Sequence, residues 1–94
     1  MPGQTPRDRL RSDVHRALTL LDGGMWVRVA ARAGEPERAG VQLSKYAADQ
    51  LPIGLDVLEI MRAARYVVPG RRLPGGDRRF DMTAAGRAAL AAWS

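Results

Sequence analysis

Ninety-four residues, 46% of them apolar, suffice for one small domain over residues 1–94, although much of that share is Ala and only one Phe, two Trp and two Tyr add large aromatic surface. Fifteen Lys and Arg against ten Asp and Glu give a net charge of +5, a balance that favours polyanions through long-range attraction and counterion release. With no Cys, disulfides, thiolate zinc sites and cysteine nucleophiles are excluded, and no apolar run approaches the roughly 18 residues of a membrane span.

The opening Met-Pro-Gly-Gln-Thr-Pro lacks the apolar stretch of a signal peptide. Residues 1–5 therefore read as a disordered start and the protein as cytoplasmic. Thr5 and Pro6 then form a helix start: Thr supplies a cap oxygen, and Pro at the first helical position loses nothing by lacking an N–H. Leu10, Val14, Ala17, Leu18 and Leu21 recur at spacings of three and four, one apolar stripe, until Gly23 and Gly24 end it. A first helix is expected over residues 6–22.

Residues 25–33 satisfy two periods. Met25, Val27, Val29 and Ala31 alternate with Trp26, Arg28, Ala30 and Arg32 as in an edge strand, whereas Trp26, Val29, Ala30 and Ala33 make a helical face. The propensities of Ala and Arg, with Gly34 as a stop, favour the helix slightly. Ser44 can cap a short helix to about Leu51, with Ala47, Ala48 and Leu51 inward, before Pro52 and Gly54 break it. A third helix follows over residues 55–65 with Val57, Leu58, Met61 and Ala64 on its buried side. Two helices across a tight break make a helix-turn-helix by pattern. Tyr66, Val67 and Val68 read as a strand, Pro74-Gly75-Gly76-Asp77 as a hairpin tip, and residues 79–82 as the returning strand with Phe80 and Met82 on one face. Thr83 can cap a last helix over residues 84–93, with Gly86, Ala89, Leu90 and Trp93 on one face.

Helix, short helix, break, helix, strand, turn, strand, helix is the order of a winged helix. Residues 60–68 resemble the stretch where a recognition helix runs into the first wing strand. Residues 77–90 (Asp77-Arg78-Arg79-Phe80-Asp81-Met82-Thr83 into Ala84-Ala85-Gly86) are similar to the wing end and last helix of MarR- and PadR-type transcriptional regulators. There an aromatic, a Leu-Thr pair and a Gly three residues after the Thr recur; here Met82 replaces the Leu. Those regulators usually have Gly before the aromatic of the first wing strand, where this chain has Arg65. The resemblance covers about residues 41–90. It implies an α+β, mainly helical winged helix-turn-helix with a two-stranded wing and a C-terminal helix, binding double-stranded DNA as a dimeric regulator.

Within that frame, Arg71, Arg72, Arg78 and Arg79 flank a Gly-rich tip opposed only by Asp77. Such a tip is suited to the sugar-phosphate backbone or the minor groove. Arg62 could read a guanine, and Gln42, Ser44 and Lys45 could bond phosphate, although capping alone explains Ser44. Asp56 and Glu59 on the third helix repel a phosphate backbone. They motivate the alternative of a protein-interaction adaptor or inhibitor, such as a phage-type or accessory subunit. Fourteen of the fifteen basic residues are Arg, a bias that GC-rich coding also produces. His15 is the sole His and has no obvious carboxylate or Ser partner at i±3 or i±4 with catalytic logic. No enzyme, metal or cofactor is therefore expected. The first and last helices flank the domain and are a candidate homodimer seam, with ordinary core packing as the simpler account.

Overall fold

The computed structural model describes residues 5–93. The expectation of a disordered start falls, for residues 1–4, outside the described residues. Thr5 itself is the N-cap of α1 (Pro6–Asp22): its Oγ1 accepts the Asp8 N–H at 3.1 Å, and Asp8 sits in the first turn where the helix dipole favours a carboxylate. Val14, Ala17, Leu18 and Leu21 are the buried stripe of this helix.

Next come β1 (Trp26–Ala30), β2 (Arg38–Gln42) and β3 (Gln50–Ile53), then α2 (Leu55–Ala63), the hairpin β4 (Val67–Arg72) and β5 (Arg78–Met82), and α3 (Ala84–Ala92). The five strands form one antiparallel sheet in the order β3-β2-β1-β5-β4, with β1 in the centre. Register puts Val27 beside both Val41 and Phe80, and Val29 beside Ala39. These residues form one core with Val14, Leu18, Val57, Leu58 and Met61 from α1 and α2, against which Leu90 and Trp93 also pack. The helices cover that face of the sheet. Strand alternation sends Trp26, Arg28, Gln42, Arg79 and Asp81 to the other face.

The chain is thus α+β, but it is not a mainly helical winged helix-turn-helix. A five-stranded antiparallel sheet stands where a two-stranded wing was expected, and the helix-turn-helix is absent. Residues 26–30 are strand, not helix: as the central strand, β1 satisfies its backbone groups on both sides, which outweighs the modest helical preference of Ala and Arg. The short helix expected from Ser44 is a loop leading into β3. Ser44 Oγ accepts the Tyr46 N–H at 3.2 Å, a local turn that replaces the cap. Both edge strands, β3 and β4, contain a proline, Pro52 and Pro69.

Arg65, just beyond α2, has φ 60°, and no other described non-Gly residue has positive φ. The Tyr66 N–H reaches back to the Met61 carbonyl at 2.8 Å, closing the helix C-terminus. Thr83 clamps this turn to α3. Its hydroxyl donates to the Arg65 carbonyl at 2.6 Å and accepts the Gly86 N–H at 3.1 Å, while its own N–H donates to the Tyr66 carbonyl at 2.9 Å. Gly86 lies so close that a Cβ there would stand 2.6 Å from the Tyr66 carbonyl oxygen.

Candidate nucleic-acid interface

The hairpin predicted from Pro74 to Asp77 is present. Its strands pair from Val67↔Met82 to Arg72↔Arg78, with an irregularity between Pro69 and Arg72. Gly75 and Gly76, at φ 84° and 90°, make the tight return that a side chain would strain. Leu73 is buried beneath the tip and its N–H donates to the Asp77 carbonyl at 2.8 Å.

Asp77 does not oppose the tip arginines. It is 6% exposed and turned onto the helix-free face of the sheet, where its carboxylate accepts from Arg28 Nη1 at 2.9 Å. Arg71, Arg72 and Arg78 remain exposed, and among the described residues none of them forms an ion pair. Arg72 and Arg78 are cross-strand partners, so their like charges lie side by side. Arg79 differs: alternation turns it to the helix-free face, where its Nε donates to Asp81 Oδ1 at 2.8 Å. The four arginines singled out in the sequence therefore divide into three free cations and one paired one.

The other candidates are scattered. The Arg62 guanidinium packs over the Phe80 ring at 5.1 Å, beside β5. Gln42 is 3% exposed, and its side chain is fully engaged: Oε1 accepts from Arg28 Nε at 3.0 Å, and Nε2 donates to the carbonyls of Ser44, Tyr46 and Asp49. It shapes the β2–β3 loop and offers nothing to phosphate. Lys45 and Ser44 lie in that loop, at the opposite end of the sheet from the hairpin tip, with Lys45 Nζ 5.4 Å from the Tyr46 ring. On α2, Asp56 Oδ1 accepts its neighbour Val57's N–H at 2.8 Å, and Leu55, Glu59 and Ile60 are exposed. With Arg62 also exposed in the last turn, that surface is apolar and acidic in its first turns and carries one cation at its end.

Comparison with protein-family models, with curated proteins and with solved structures returns no match. Among the described residues, no helix is long and apolar enough to cross a membrane.

Sequence reasoning missed a constellation on the helix-free face. Trp26 lies on the central strand with the Arg79 guanidinium 4.7 Å and that of Arg28 5.3 Å from its ring centroid. Arg28 and Arg79 face each other directly across β1 and β5. Alternation of Trp26 and Arg28 with Val27 and Val29 was the available signal, obscured because the same stretch also fits a helical period. His15 is half-buried, with its ring 5.0 Å from that of Trp93, so it packs α3 onto α1.

Proposed function

We propose that this is a cytoplasmic polynucleotide-binding domain that grips the phosphate backbone through its β4–β5 hairpin, without enzymatic activity. One observation carries the reading. The carboxylate nearest the tip is engaged by Arg28 on the helix-free face, leaving Arg71, Arg72 and Arg78 exposed and, among the described residues, without an ion pair. Guanidinium groups so presented pair with phosphate oxygens in a charge-assisted, bidentate manner. Such contacts position a protein on nucleic acid and carry no sequence information by themselves. Base reading through a helix in the major groove is disfavoured, because the exposed surface of α2 sets Leu55, Asp56, Glu59 and Ile60 against the single Arg62.

The test is the salt dependence of binding to random duplex DNA. Replacing Arg71, Arg72 and Arg78 together by Ala should lower the slope of log K against log salt by about three, roughly one per lost phosphate contact. An unchanged slope removes the hairpin from the interface. A second reading, a protein contact, is favoured by the exposed Leu55 and Ile60 and by a groove of about 540 Å³ where Leu10, Ile60, Tyr66 and Trp93 meet. It takes over if no complex with DNA forms at micromolar protein and low salt.

A further inference from the structure

Resting on the polynucleotide reading, we propose that the helix-free face of the sheet is a subsite for a single strand, with an unpaired base stacking at Trp26 and its phosphate held between Arg28 and Arg79. The starting point is a cost. Like charges directly across an antiparallel pair destabilise a sheet, yet Arg28 and Arg79 occupy such a position on the central strand β1 and its neighbour β5, each offset by its own carboxylate, Asp77 and Asp81. Both guanidinium groups lie within 5.3 Å of the Trp26 ring centroid.

The two arginines are held, not loose. Arg28 has Nε on Gln42 and Nη1 on Asp77, and Arg79 has Nε on Asp81. Arg28 Nη2 and both terminal nitrogens of Arg79 make no hydrogen bond to protein among the described residues. No buried side-chain nitrogen or oxygen lacks a partner, so these nitrogens keep some contact with water, although the Arg28 side chain is only 14% exposed. Two oriented donor edges around an indole, on a face no helix covers, suit a phosphate joined to a flat base. Stacking on aromatic side chains beside positive charge is the general way single strands are held, because every base offers a π-face whatever its identity. A duplex keeps its bases stacked inside and would offer Trp26 none.

Trp26 reports on its own occupancy. In the Trp93→Phe chain it is the sole tryptophan, and its emission is followed while oligo-dT and a duplex of equal length are titrated at low salt. The expected result is quenching by oligo-dT and little change with duplex. Trp26→Leu should weaken oligo-dT binding by about tenfold or more, leaving duplex affinity unchanged. Should Trp26→Leu not fold, the quenching measurement decides alone. Saturating oligo-dT that leaves the emission unchanged, or a Trp26→Leu chain binding it as the parent does, overturns the proposal. Hairpin-dependent binding of duplex without binding of oligo-dT removes this subsite and keeps the hairpin reading; binding of neither removes both.

Discussion

Replacing Asp77 by Ala takes away the carboxylate that receives Arg28 Nη1 at 2.9 Å. The two side chains retain only 14% and 9% of their exposure, so solvent can do little to stabilise the guanidinium left behind. Breaking a buried pair by removing one partner costs about 3–5 kcal/mol. Arg28 keeps its bond to Gln42 and some contact with water, which brings the expected loss to about 2–3 kcal/mol. For a domain of this size that lowers the melting temperature by roughly 10–20 °C. Asp77→Asn preserves a carbonyl acceptor for Nη1 and should lose only about 1 kcal/mol. Urea unfolding followed by far-ultraviolet circular dichroism measures both changes. If Asp77→Ala unfolds within about 0.5 kcal/mol of the parent, or if the Asn variant is as unstable as the Ala variant, then the pair does not hold the hairpin base as described.

Gly86→Ala should be destabilising although it improves helix propensity, because the new Cβ would stand 2.6 Å from the Tyr66 carbonyl oxygen and 3.1 Å from Met82 Cγ. With backbone as the obstacle, overpacking at the upper end of about 1–3 kcal/mol exceeds the roughly 1 kcal/mol gained by removing Gly from a helix; an Ala variant as stable as the parent in urea would show that the packing of α3 on the turn after α2 is slack. Arg65→Gly, by contrast, should stabilise by about 0.5–1 kcal/mol, since φ 60° is a left-handed conformation that penalises a side chain. A fall in the urea midpoint would mean that the Arg65 side chain contributes more than its backbone strain removes.

The parts of the fold legible in the sequence were those fixed by local chemistry. Thr5 and Pro6 start α1, Thr83 starts α3, and the glycines after Pro74 turn the hairpin, because in each case the deciding hydrogen bond or φ lies within a few residues. What escaped depends on distant partners. β2 is Arg-Ala-Gly-Val-Gln, a sequence of little strand propensity whose backbone is satisfied on both sides by neighbours. Pro52 read as a helix breaker; it is tolerated because β3 lies at an edge, where one missing N–H need not interrupt a ladder. The loop before it is held by Gln42 Nε2, donating to carbonyls up to seven residues away. The hairpin arginines were visible as a cluster, but Arg79 left that cluster once strand alternation turned it to the other face. Asp77 counted against the tip in sequence and lies elsewhere in space, and Arg28 and Trp26 gave no sign of a site until β1 was known to be a central strand.

The prolines at the sheet's two margins have a bearing on how the molecule meets its own kind. A free β-margin ordinarily offers a regular row of donors and acceptors that another chain can extend. Here Pro52 interrupts one margin and Pro69, beside a register irregularity, the other. Growth of a continuous sheet from molecule to molecule is thereby discouraged, and concentrated solutions of the protein should resist fibril formation.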